Sequence, residues 1–215
     1  GYRENDQLGG YDPYSASKAA AEIIFSAYLR SYFNQKKLLG TASTRAGNVI
    51  GGGDWANDRI VPDCIKSILE NRTIELRNPD ATRPWQHVLE PLNGYLLLSS
   101  KLYTNPKKYS GSWNFGPNTD QVLSVSNITK FFIEYFGRGN YKNVLNSNPN
   151  NHEAQLLQLN CDKANINLAW HPRWNVSKTL EMTAKWYKKI DEGENAREIT
   201  LNQINEFFEF KKAIK

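Results

Sequence analysis

Residues 11–33, YDPYSASKAAAEIIFSAYLRSYF, decide how the rest of the chain is read. A turn-rich approach, LGGYDP, leads into a run in which Ala, Ile, Phe and Leu recur every three or four residues, so the spacing predicts a helix beginning near Pro13 or Tyr14. Tyr14 and Lys18 are four apart at its start, which places both on one face about one turn from each other. A phenol titrating near pH ~10 is a poor base at neutral pH, and a neighbouring ammonium favours the phenolate. The spacing alone is common: Tyr32 and Lys36 repeat it in the same chain. Context distinguishes Tyr14, which follows a turn, is flanked by Ser15, Ala16 and Ser17, and opens a long helix that feeds a strand.

Downstream of the helix, LLGTASTRAGNVIGGG passes from small and β-branched residues into glycine, as a strand ending in a loop. Glycine-rich loops at strand ends are where open α/β sheets bind ligands. Helices are predicted at IVPDCIKSILEN, VLEPLNGYLLLSSKLY, SVSNITKFFIEYFG, CDKANINLAW, KTLEMTAKWYKKIDEG and ITLNQINEFFEFKKAIK. Strands are predicted at TIELR, WNFG and EAQLLQLN, and residues 78–87, NPDATRPWQH, read as a loop. No repeat or low-complexity tract interrupts the pattern, so the chain reads as α/β with a helical C-terminal lobe.

Composition narrows the function classes. The 215 residues are 40% hydrophobic, enough to bury a sizeable core. No apolar run approaches the ~18 to 20 residues that span a bilayer, and GYRENDQLGG lacks the apolar centre of a secretory signal, so the expected location is the cytoplasm. Cys64 and Cys161 stand far apart and outside any CxxC spacing, which suits structural thiols in a reducing compartment. The formal charge of +5 comes from scattered Lys and Arg with no aromatic-interleaved basic run, so a small anionic ligand is expected and a nucleic acid is not. His87, His152 and His171 lack metal-ligand spacing, and no GxSxG elbow occurs.

Five blocks carry a resemblance: YRENDQLGGYDPYSASKAAAE, STRAGNVIGGGDWANDRIVPD, RNPDATRPWQHVLEPLNGYLLL, WNFGP and HEAQLLQLNCDKA. In this order they resemble the extended short-chain dehydrogenase/reductase family, closest to its CDP-glucose 4,6-dehydratase branch. The resemblance implies the C-terminal part of a Rossmann-type parallel sheet, over residues 1–56 and 84–120. It also implies a smaller, mostly helical substrate-binding lobe over 57–83 and 121–215. The implied reaction uses NAD and is redox-neutral: oxidation of a nucleotide-linked hexose at C4, loss of water across C5 and C6, and return of hydride to C6. Tyr14 would be the base for the C4 hydroxyl, and Lys18 would assist it and hold the nicotinamide ribose. Asn48, Arg59, Arg83 and His152 would contact the substrate, the two arginines through paired hydrogen bonds to its pyrophosphate.

Each of these has a plainer reading that the residues alone leave open. Asn48 could simply serve a left-handed turn, the arginines could be surface residues, and Gly51 to Gly53 could form a turn without approaching a ligand. Trp85 fits core better than base stacking, and His87 fits packing or capping. Asp54, Asp58 and Asp63 fit turns and helix starts. The GxxGxxG fingerprint is absent from these residues, as is the Thr, Asp and Lys cluster that the family places before YRE, so the chain is expected to be the C-terminal portion of a longer enzyme. Rival readings are another nucleotide-sugar epimerase or dehydratase, and a non-catalytic nucleotide-sugar binding module. The apolar excess on the first helix, at Ile23, Ile24, Phe25, Tyr28 and Phe33, predicts a homodimer formed through it.

Overall fold

The computed structural model describes residues 1–33, 35, 39–118, 122–144 and 158–209. Helix α1 spans Pro13–Tyr28 and runs on through a π-helical stretch, Leu29–Phe33. Its start is set locally. The Asp12 carboxylate accepts the backbone N–H groups of Tyr14 at 2.9 Å and Ser15 at 3.0 Å, and Pro13 occupies the first helical position, where a missing N–H costs nothing.

The stretch read as one strand is two. Strand β1 (Ala42–Ala46) and strand β2 (Asn48–Ile50) are separated at Gly47 and find different partners. Helix α2 (Ile60–Leu69) follows, then β3 (Ile74–Leu76). Residues 82–87, expected to be loop, form strand β4 (Thr82–His87), which is the clearest departure from the sequence reading. Its Thr, Arg, Pro, Gln and His give no apolar alternation, yet the strand is buried along nearly all its length. Distant atoms partner part of its polar inventory: Gln86 Nε2 donates to the Phe115 carbonyl at 2.9 Å and the Trp85 indole to the Leu123 carbonyl at 3.1 Å, while Gln86 Oε1 and His87 Nε2 are buried without a hydrogen bond.

Helix α3 (Leu89–Thr104) and a short α4 (Pro106–Tyr109) lead to β5 (Gly111–Phe115). Next come β6 (Val122–Ser124), α5 (Val125–Phe136) and β7 (Tyr141–Asn143). The chain closes with α6 (Asp162–Leu168), α7 (Val176–Asp191) and α8 (Ala196–Glu209). Strands β6 and β7 and helix α4 were not anticipated. Of the strand expected over 153–160, residues 153–157 lie outside the described residues, and Leu159 makes a parallel bridge to Tyr2.

Pairing is parallel for β1 with β5, β2 with β4, and β3 with β7, and antiparallel for β4 with β6. Because β1 and β2 are nearly consecutive but pair separately, the chain passes from one short sheet to the next across Gly47. The larger core joins α2, β3, α5 and α7 through Ile65, Ile68, Leu76, Phe132 and Tyr187. A second core, built on Trp113, Phe115, Leu168 and Trp170, packs α3 and α6 against β5. Both cysteines are free, Cys64 buried and Cys161 half-buried, and burial pushes their thiols up to about 12 and about 11. Both are therefore protonated packing groups at neutral pH. Among the described residues no helix is long and apolar enough to cross a membrane.

Candidate functional site

A cleft of about 640 Å³ opens where the N-terminus of α1, the β1–β2 passage, the start of α2 and strand β4 converge. Tyr14, Asn48, Arg59 and Arg83, four residues singled out from separate parts of the sequence, all line it. Its volume lies within the roughly 300–1,000 Å³ of small-molecule sites.

The Tyr14 ring is 73% exposed at the first turn of α1 and forms one wall. Lys18 is exposed one turn further along the helix, outside the lining of the cleft. Asn48 opens β2, half-buried and in register with Trp85 of β4. Arg83 is drawn into the floor, 8% exposed, with Nη1 donating to the Thr82 carbonyl at 2.8 Å. Arg59, at the N-cap of α2, stands at the mouth and is paired with Asp54 at 3.0 Å. His152 lies outside the described residues.

The sequence reading missed Arg77. It leaves β3 at the rim and pairs with Asp58 at 3.1 Å, so three guanidiniums share this cleft. An Arg just past a short strand carries no signal of its own; its side chain stays largely exposed and borders the cleft only because β3 packs against α2. An adjoining cavity of about 690 Å³ along the α2–β3 edge shares Asp58, Asp63, Glu75 and Arg77 with the first. Within it, burial and the nearby Asp58 carboxylate hold the Asp63 carboxyl above its ordinary range.

Other candidates resolve into structural roles. Trp85 is 4% exposed and belongs to the core, although one edge reaches the cleft. His87 is buried, accepts the Leu89 N–H on Nδ1 at 3.3 Å just ahead of α3, and is pushed down to about 4 by burial, so it stays neutral. Asp54 accepts the Ala56 N–H in a turn, and Asp63 lies in the first turn of α2. At Gly52 the Trp186 ring approaches closely, so that a Cβ would meet it at 2.0 Å.

A phenol, an amide and three guanidiniums lining one cleft suit a ligand that carries both hydroxyls and an anionic centre. The relatives of the chain fit that shape. It is 44% identical over 211 residues to the CDP-glucose 4,6-dehydratase of Salmonella typhimurium, covering 96% of this chain and 58% of that protein's length. The fold resembles dTDP-glucose 4,6-dehydratase from Bacillus anthracis, solved in complex with NAD, with a TM-score of 0.72 at 22% identity over 89% of this chain and 57% of that one. It also resembles UDP-glucose 4-epimerase from Thermotoga maritima, solved with UDP-glucose, with a TM-score of 0.69 at 18% identity over 88% and 57% of the two chains. At these identities the two structures speak for a Rossmann-type α/β fold alone. Residues 2–114, over half of the chain and including α1, the β1–β2 passage and β4, match the model of one family, and the protein belongs to that NAD dependent epimerase/dehydratase family.

Proposed function

We propose that this chain supplies the catalytic helix and the nucleotide-sugar cleft of an NAD-dependent 4,6-dehydratase that converts CDP-D-glucose to CDP-4-keto-6-deoxy-D-glucose. The observation that carries the reading is the convergence of Tyr14, Asn48, Arg59 and Arg83 on one cleft. Residues 1–56 and 84–120 are assigned to the dinucleotide-binding domain, and 57–83 and 121–215 to the substrate-binding lobe.

The chain offers one end of a cofactor site. Tyr14 and Lys18 are exposed one turn apart on α1, while the dinucleotide fingerprint does not occur in these 215 residues. NAD, when bound, supplies a hydride acceptor and later the donor. Tyr14 takes the proton of the C4 hydroxyl, and Lys18 holds the ribose beside it. Arg83 and Arg59 bind the pyrophosphate, and Asn48 orients the hexose so that its C4 faces Tyr14. The C4 ketone acidifies the C5 proton, which leaves with the C6 hydroxyl as water. Oxidation therefore comes first. We further assign the protein to the cytoplasm, with its two thiols free, and propose that it forms a homodimer through α1.

The deciding experiment incubates the full-length natural protein with NAD and CDP-glucose and follows the C6 methyl group of the product by proton NMR. Tyr14→Phe should lower kcat by about 1,000-fold while KM for CDP-glucose stays within a few-fold, because the lost contact is made in the transition state. A C4-epimerised product with no methyl signal would make the protein an epimerase instead. A second reading, a non-catalytic nucleotide-sugar binding module, draws on the missing fingerprint and applies to the 215 residues alone. Binding of CDP-glucose without turnover by these 215 residues would establish it for them.

A further inference from the structure

Helix α1 carries Tyr14 yet touches the rest of the molecule sparingly: among its described side chains Ala19 alone is fully buried. One turn beyond Lys18 stands Glu22, whose side chain is 16% exposed. Its Oε1 accepts Arg45 Nε at 2.9 Å, and its Oε2 accepts Arg45 Nη2 at 3.3 Å and the Ser43 hydroxyl at 2.8 Å. The Ser112 hydroxyl lies 3.3 Å from the same Oε2 and 2.9 Å from Ser43 Oγ. Ser43 and Arg45 project from one face of β1, and Ser112 is the register partner of Ser43 on β5. One carboxylate thus grips two paired strands.

Electrostatics agree with an ionised clamp. Burial works against the Glu22 carboxylate, but hydrogen bonds from Arg45 and Ser43 outweigh it and hold the group below its ordinary range. Paired guanidinium–carboxylate contacts also fix direction as well as distance. Strand β1 leads through Gly47 to Asn48, and both line the cleft together with Tyr14. The clamp therefore ties the helix that presents the phenol to β1, the strand directly before the step from Gly47 to Asn48 that presents the amide.

We infer that Glu22 is a positioning residue of the catalytic helix: by fixing the rotation and height of α1 on the β1–β5 pair, it sets where the Tyr14 phenol stands relative to Asn48 in the cleft. The inference rests on the proposed reaction for its kinetic consequence and on the contacts of Glu22 for the rest. A displacement of about 1 Å at a reacting group lowers the rate by about 100-fold, and substrate affinity, held by Arg83 and Arg59, is spared.

The test compares the full-length, NAD-loaded protein with its Glu22→Gln and Glu22→Asp variants. Turnover of CDP-glucose is measured alongside hydrogen exchange of the α1 amides. Glu22→Gln is isosteric but turns a donor toward Arg45 or the serine hydroxyls. It should lower kcat by about 30-fold or more, leave KM within threefold, and speed exchange in α1. Glu22→Asp, which keeps the charge on a shorter arm, should recover part of kcat. A Glu22→Gln kcat within threefold of wild type, or unchanged α1 exchange, overturns the inference. So does a loss restored by cooling below the melting transition, since that marks a contribution to stability only. A wild-type protein without turnover would instead defeat the proposed function, and the exchange measurement would still decide the clamp.

Discussion

Gly52 illustrates what a single residue in this chain reveals and hides. Its place in a loop was legible, because three consecutive glycines do not continue a strand. The reason for glycine was not, since the neighbour that requires it, Trp186 on α7, lies far along the chain. A Cβ at Gly52 would sit 2.0 Å from that ring, whose indole N–H already donates to Thr200 Oγ1 at 3.0 Å. Gly52→Ala should therefore force the indole off its partner and destabilise the fold by about 1–3 kcal/mol. Equilibrium urea unfolding would show this as a lower midpoint at unchanged slope; an unaltered midpoint would mean that Trp186 moves aside without cost. At the cleft the same division holds. The chemistry of Tyr14, Asn48, Arg59 and Arg83 was readable from residue type and the family blocks, whereas Arg77 became visible only through the placement of β3.

At the level of elements, α1 was legible because its signals are local: Asp12 caps it, Pro13 starts it, and the alanine-rich run sustains it. Strand β4 was not, because burial on both faces removes the alternation that marks a strand, and its polar side chains depend on Phe115 and Leu123 for partners. The outer face of α1 bears on assembly. Ile23, Ile24 and Tyr28 are each more than half exposed, while Phe25 and Phe33 are half-buried, so the apolar stripe left for a second copy is narrower than the sequence implied. Light scattering on the full-length protein should give twice the monomer mass, and Ile24→Glu should return the monomer by placing a charge in the interface. A monomeric wild type would remove the dimer.

Across the whole molecule, Glu90 and His87 bind distant segments and respond to pH in opposite senses. Glu90, buried at the start of α3, accepts the Arg173 N–H on both oxygens at 3.0 Å and the Trp174 N–H at 2.8 Å. Trp174 packs in turn on His87 and Phe207, with ring centroids 4.9 and 5.0 Å away. Burial raises the Glu90 carboxyl from 4.5 to about 7. The folded state then holds a proton that the unfolded state has released, so stability falls as pH rises from 4.5 to 7. His87, lowered by burial from 6.5 to about 4, does the reverse: the unfolded state gains the proton, so stability falls as pH drops through that interval. The two slopes offset one another where the windows overlap. Glu90→Gln keeps the shape without the titration, so its stability relative to wild type should rise by about 3 kcal/mol between pH 4.5 and 7 and then level off. Urea titrations of both proteins across that range would check it, and a constant difference would show that Glu90 is ionised throughout.

By itself the sequence determined the α/β character, the start of α1, the pairing of Tyr14 with Lys18 on it, and the kinds of group available to a ligand. These follow from caps, periodicity and residue chemistry within a few positions. Only the tertiary structure decided that β1 and β2 separate at Gly47, that residues 82–87 form a strand, and that Tyr14, Asn48 and Arg83 face one cleft with Glu22 clamped to β1 and β5. Each of those outcomes is set by contacts between residues distant in the chain, and the physical reason is that burial and partner choice, unlike helix capping, have no local signature.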